Sequence, residues 1–207
     1  QLVGIPLLTA ALIIFVELPP EVVVGFIMVA AMPGGSLSNI YTHLGRGNVA
    51  LSVALTALMT LLALVTAPLI MRLFAGDYLP PEIAMPVGAA RLYSRWAVRF
   101  SLIVLGALVV GSLGSGSIDF SRYSARIPLL VFLYCLIIQI IILRGARHVL
   151  GFSNRDSMAL GIESSMKNIN LAVLIAASLF GIEGTDGEFG AGVLYVLLLY
   201  GGVSLGV

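Results

Sequence analysis

Ala31-Met32-Pro33-Gly34-Gly35-Ser36-Leu37-Ser38-Asn39 interrupts an apolar segment that runs from Val22 to Leu44. Proline removes a backbone donor and clashes with the preceding helical turn, and glycine accepts conformations that helices refuse. The segment is therefore expected to unwind near its middle. Unwound backbone at membrane depth is tolerated only where it is buried in protein or lines a cavity. The amide and carbonyl groups it frees are the kind that hold ions and anionic groups. A simple proline kink is the alternative reading, but a kink leaves unexplained the polar residues Ser36, Ser38 and Asn39 that follow at once.

Working outward, the next segment, Asn48 to Met71, contains no ionisable side chain. It is long enough to cross the hydrocarbon core of a bilayer. The whole chain is 59% hydrophobic and 10% charged, against roughly half and a quarter in soluble domains, so water cannot be its only solvent. Apolar runs give candidate spans at Leu2 to Val16, Val22 to Leu44, Asn48 to Leu73, Val98 to Gly114, Ile127 to Leu143, Met158 to Phe180 and Gly190 to Val207. The net charge of +1 argues against a nucleic-acid partner. Cys135 is the only cysteine, so the chain holds neither an internal disulfide nor a cysteine metal site. The opening apolar run has no charged n-region and is not a signal peptide; the expectation is that further material precedes it.

Basic residues favour the cytoplasmic side, which places Arg46, then Arg91, Arg95 and Arg99, then Arg144, Arg147 and Arg155 inside. The acidic loops with Glu17 and Glu21, Asp77 and Glu82, and Glu183, Asp186 and Glu188 fall outside. The span ending at Leu73 delivers Asp77 outside, yet Arg91 must be inside again, and the intervening Pro80, Pro81 and Pro86 stretch cannot cross. The charges thus imply a further helix between Tyr78 and Arg91 that this sequence lacks; a natural exception to the charge rule is the alternative. With that helix restored, Gln1 to Leu73 and Ile127 to Val207 run in opposite directions, the inverted repeat common among secondary transporters.

The span Met158 to Phe180 carries Glu163, Ser164, Ser165, Met166, Lys167, Asn168 and Asn170 between apolar flanks. An ionised group at mid-membrane costs about 2.5 to 3.5 kcal/mol on insertion scales and marks a site by default. Glu163 and Lys167 are four apart, so an ordinary ion pair on a continuous helix is the alternative. A second break there is inferred from polarity and from symmetry with the first. Ser52, Thr56 and Thr60 share one face of their helix, although such hydroxyls often bond only their own backbone. His43 and Arg46 are expected at the cytoplasmic end of the second span, and Tyr93, Trp96 and Tyr123 read as interface anchors. Gly111 to Gly116 reads as a loop entrance or a close-packed helix end.

The run Pro33-Gly-Gly-Ser-Leu-Ser-Asn39, followed by Leu44-Gly-Arg-Gly-Asn-Val-Ala-Leu-Ser-Val-Ala-Leu-Thr56, resembles the signature of the bile acid:sodium symporter family, and Glu163-Ser-Ser-Met-Lys-Asn168 resembles its second signature. The resemblance, to a bacterial-type member, covers most of the chain. It implies an all-α integral membrane fold of ten helices, about seven of them in this sequence, with core and panel domains and two broken, crossing helices. The first core repeat would be residues 1–74, a panel remnant 75–125 and the second core repeat 126–207. Carried over by motif, a first Na+ site would use Ser38, Asn39, Ser52, Thr56 and Glu163. A second ion site would use Gln1, Glu163, Ser164, Met166 and Lys167, and an organic anion would lie beside Gly35, Ser36 and Asn168. Lys167 departs from the glutamine usual in members that bind two sodium ions, so its ammonium is a candidate to fill the second position.

The resulting expectation is a secondary active transporter of a small organic anion, multi-pass in a bacterial inner membrane, coupled to sodium through one site. A sodium-independent or proton-linked carrier and a non-transporting membrane sensor are the alternatives. An enzyme is disfavoured because the chain has no HExxH, no GxSxG and no pair of carboxylates deep in a span.

Overall fold

The computed structural model describes residues 1–81, 123–180 and 187–206. Helix α1 covers Gly4–Phe15, α2 Pro20–Ala31, α3 Ser36–Leu44, and α4 Val49–Ala75, which runs into a 3-10 turn at Gly76–Tyr78. Helix α5 covers Arg126–Arg144 and continues as a π turn over Gly145–Val149; α6 is Asn154–Ser165, α7 Ile169–Phe180 and α8 Gly187–Ser204. No strand occurs among the described residues, and the one extended pairing there is an antiparallel bridge between Gly34 and Lys167. The further helix expected between Tyr78 and Arg91, the span Val98 to Gly114, Tyr93, Trp96 and the Gly111 to Gly116 stretch fall wholly or mainly outside the described residues.

Two stretches, Val49–Tyr78 and Arg126–Val149, are long and apolar enough to cross a bilayer. At 1.5 Å per residue, the 27 residues of α4 reach about 40 Å, beyond the ~30 Å hydrocarbon core. Leu61, Val65 and Leu69 on α4 and Leu129, Ile137 and Ile141 on α5 are exposed. Large outward apolar surface of this kind suits lipid better than water. The two interrupted segments are built from halves: α2 and α3 have 12 and 9 residues, and α6 and α7 have 12 each.

The described residues divide into two compact units. The first draws on Gln1–Met32, Leu64–Ser124 and Ile169–Leu198. Its centre is α2, apolar on every side and buried from Val22 to Ala31, as a helix without a polar face must be. A Cβ on Gly25 would lie 2.7 Å from Val196 Cβ, so glycine is what lets those backbones approach. Tyr123 donates its hydroxyl to Glu21 Oε1 at 2.8 Å and packs its ring 4.9 Å from that of Tyr195.

The second unit draws on Pro33–Ala63, Ala125–Asn168 and Leu199–Val207. Here α5 packs along α6, with Gly161 facing Leu143, and α3 also lies on α6. The starts of α4 and α6 are tied together. Ser153 caps α6 by accepting from the Asp156 amide at 3.1 Å and donates to Asp156 Oδ2 at 2.7 Å. Asn48 caps α4 by accepting from the Leu51 amide at 3.1 Å, and its side-chain amide donates to Asp156 Oδ1 at 2.7 Å. Hydrogen bonds from Asn48 first, and from Ser153 next, hold the Asp156 carboxyl below its ordinary 3.8. Between α3 and α4 the chain turns sharply through Arg46, whose φ of 56° lies in the left-handed region. Arg46 and His43 are exposed at that end of α3.

Candidate functional site

Both expected interruptions are present, and they meet. Helix α2 ends at Ala31 and α3 starts at Ser36; Met32 and Gly35 are extended, with ψ values of 144° and 159°. Helix α6 ends at Ser165 and α7 starts at Ile169. The Gly35 amide donates to Met166 O at 2.8 Å, and the Asn168 amide donates to Pro33 O at 2.9 Å. Buried backbone groups need partners, and here each break supplies them to the other. A continuous helix carrying Glu163 and Lys167 one turn apart is therefore not what the chain forms. Glu163 sits in the last turn of α6, whereas Lys167 lies in the break, and both are buried.

Gly34 explains why this crossing tolerates no side chain. A Cβ there would fall inside the Glu163 carboxylate, beside Oε1. At Gly35 a Cβ would stand 3.1 Å from Lys167 O, a tight contact with backbone.

The other carboxylate oxygen, Glu163 Oε2, collects hydroxyl groups from two helices. Ser38 on α3 donates to it, as does Thr56 on α4 at 2.9 Å, and Ser52 on α4 lies at 3.5 Å. Asn39 Oδ1 is 3.4 Å from Thr56 Oγ1. Ser38 Oγ also lies 2.7 Å from Gly35 O, Thr56 Oγ1 lies 3.0 Å from Ser52 O, and Thr42 Oγ1 lies 3.3 Å from Ser52 Oγ. An ionised carboxylate brings no hydrogen. Four hydroxyl hydrogens must then be divided among seven close oxygen–oxygen contacts, with lone pairs left facing inward. A cation among those oxygens, or a proton on Glu163, relieves that shortage. The donors are hydroxyl, amide and carboxylate oxygens, which suit a hard cation; among the described residues no three of His, Cys, Asp and Glu gather as a metal-ligand group.

Ser38, Asn39, Ser52, Thr56 and Glu163 thus stand together as the sequence leads one to expect. Thr60 does not join them: its hydroxyl bonds Thr56 O at 2.7 Å, the ordinary habit of threonine in a helix. Of the second set, Glu163, Ser164, Met166 and Lys167 lie at the end of α6 and in the break of the second unit, whereas Gln1 belongs to the first. Gly35 and Asn168 meet across the bridged breaks, while Ser36 is exposed at the start of α3. Three further contributors lie outside the site sets expected from the sequence. Thr42 is buried behind Ser52, and Gly47 supports it, since a Cβ at Gly47 would lie 2.8 Å from Thr42 Cγ2. Tyr200 on α8 donates to Ser165 O at 2.5 Å, tying down the last turn of α6 beside the second break.

A sequence profile described as the Sodium Bile acid symporter family matches residues 1–150. The chain belongs to that family. The Bacillus subtilis (strain 168) protein named "Uncharacterized sodium-dependent transporter YocS" is 32% identical over 84% of this chain and 61% of its own length. The Arabidopsis thaliana protein named "Probable sodium/metabolite cotransporter BASS1, chloroplastic" is 31% identical over 80% of this chain and 46% of its own length. A rice protein of Oryza sativa subsp. japonica, "Probable sodium/metabolite cotransporter BASS2, chloroplastic", is 30% identical over 84% of this chain and 47% of its own length. The chain therefore spans about half to three-fifths of these relatives. Membership of the symporter family, together with two helices long and apolar enough to cross a bilayer, makes this a membrane protein of a transporter family rather than of an enzyme family.

Proposed function

We propose that this chain carries the ion-binding core of a secondary transporter that moves a small organic anion together with sodium. The observation that carries the reading is the crowding of Ser38, Asn39, Ser52 and Thr56 oxygens around one oxygen of buried Glu163. Sodium would take its place among those oxygens and be held against Glu163. Because the ligands come from α3, α4 and α6, ion binding would draw three helices together at the bridged breaks. An anion at Gly35, Ser36 and Asn168, next to that crossing, would then bind better with sodium than without it, which is a coupling free energy and involves no chemical step. The names of the relatives, which speak of sodium dependence and of sodium/metabolite cotransport, support the same reading.

In this proposal the segments 1–74 and 126–207 are inverted core repeats, supported by one interrupted helix in each. Residues 75–125 belong to a panel domain against which the core moves. Lys167 takes the second ion position: its ammonium stays beside Glu163, so at most one sodium is bound. The burial of Lys167 as well as Glu163 also favours a second reading, a carrier in which the lysine replaces the coupling ion altogether. Uptake of a panel of organic anions by the whole protein in proteoliposomes, with and without a sodium gradient, separates the two. Weak sodium dependence that strengthens in Lys167→Gln is the expected result; sodium dependence already strong in the wild type and unchanged by that substitution would sink the idea that lysine stands in for an ion. Uptake that ignores sodium in both proteins would favour the second reading.

A further inference from the structure

The proposed sodium site needs something that none of its five ligands provides, a place for the Ser52 hydrogen to go. Without an ion, the order of donation is set by the acceptor at its end. The Glu163 carboxylate accepts, so Ser52 directs its one hydrogen toward Oε2, 3.5 Å away, and takes a hydrogen in return from Thr42 Oγ1 at 3.3 Å. A cation lodged between Ser52 Oγ and Glu163 Oε2 takes the place to which that hydrogen points, so Ser52 has to present a lone pair there instead. Its hydrogen must then swing away from the ion onto another acceptor, and the hydroxyl oxygen of Thr42, buried on α3, is positioned to receive it.

We propose that Thr42 is a positioning residue of the cation site, whose hydroxyl reverses from donor to acceptor when the ion arrives and so frees the Ser52 oxygen to face it. The inference rests on the sodium reading given above. The reversal is local because threonine within a helix can turn its own hydrogen to the carbonyl four residues earlier, which for Thr42 is that of Ser38. The hydroxyl is also held in place rather than free to swing out. Thr42 O accepts from the Gly47 amide at 2.8 Å, and the Gly47 backbone fills the space beside Thr42 Cγ2. The tight turn through Arg46 and Gly47 thereby reaches the ion site through a single side chain.

The test uses sodium itself as the probe. Thermal stabilisation of the whole protein in detergent is measured across a titration of NaCl against choline chloride at constant ionic strength, since a ligand that binds only the folded state raises its stability with concentration. Thr42→Val keeps the shape and removes both hydroxyl roles; the half-saturating sodium concentration should rise about five- to tenfold, as expected for one lost hydrogen bond. Thr42→Ser should restore the wild-type value. A Thr42 that is merely structural would lower the melting temperature equally in choline and sodium, with half-saturation unchanged, and that result overturns the proposal.

Should Thr42→Val fail to fold, Thr42→Ala in a Ser52→Ala background supplies the same decision. With the Ser52 hydroxyl gone, removing that of Thr42 should cost no further sodium affinity, and an additional loss of the same size would refute the relay. Thr56→Val keeps the two claims apart. If it leaves the sodium response intact, the sodium site itself is wrong; if it weakens the response while Thr42→Val does not, only the role of Thr42 falls.

Discussion

The two helix breaks share a shape and differ in cause. Pro33, Gly34 and Gly35 open the first from within, because proline lacks a donor and a side chain at Gly34 would occupy the Glu163 carboxylate. Met166, Lys167 and Asn168 contain nothing that forbids a helix. Their departure from it is maintained from outside, by the amide of Gly35 and the carbonyl of Pro33, and by Tyr200, which takes the carbonyl at the end of α6. The first break is thus a property of its residues, and the second depends on the company it keeps.

That difference predicts an order of sensitivity. Gly34→Ala should have the largest effect, since its methyl must displace Glu163 and with it the point where Ser38, Ser52 and Thr56 converge. Sodium half-saturation, read from thermal stabilisation, should rise by about tenfold or more, in keeping with the 1 to 3 kcal/mol typical of overpacking. A wild-type sodium response in Gly34→Ala would show that the two breaks are not joined through this glycine. Tyr200→Phe tests the second break by removing the hydroxyl that holds Ser165 O, together with its contact to Cys135. A loss of about 1 kcal/mol, near 2 to 4 °C in melting temperature for a chain of this size, is expected with and without sodium; no change in choline would mean that the carbonyl of Ser165 needs no help from α8.

The smallest effect belongs to Asp156, which starts the half-helix leading to the second break but lies far from it in sequence. Its carboxyl is held below the ordinary value by Asn48 and Ser153. A depressed folded-state value means that the contribution to stability is complete above the unfolded value and fades as pH falls through the folded one. Asp156→Asn should therefore lower the melting temperature slightly at neutral pH and lose that difference below about pH 4, where the wild-type contribution has faded. A change in sodium affinity in that variant would link the start of α6 to the site at its end.

The same contrast governs how much could be read in the chain. Pro33-Gly34-Gly35 is legible as a break because backbone chemistry is written in residue type, whereas Ser38, Asn39, Ser52, Thr56 and Glu163 are brought together as candidates only by the family resemblance. The second break is visible only as polarity and by symmetry with the first, so its bounds are not legible. Within the polar run Glu163, Ser164 and Ser165 remain helical and only three residues separate α6 from α7. The roles of Thr42, Gly47 and Tyr200 are not legible for a different reason. Each acts on a partner chosen by packing: Tyr200 lies 35 residues from Ser165 along the chain, and Asn48 lies 108 from Asp156. No local pattern announces such pairs. Thr60, by contrast, had the right helical spacing and still turned to its own backbone.

The bridge between Gly34 and Lys167 also limits how this protein can vary in length. Loops ordinarily absorb insertions and deletions, but these two irregular segments are each other's template. One residue added to either would slip the pairing by a position, send a side chain into the place kept clear by Gly34, and turn Lys167 away from Glu163. These two irregular stretches should be among the least tolerant of a change in residue number, and a compensating insertion in one would have to accompany any insertion in the other.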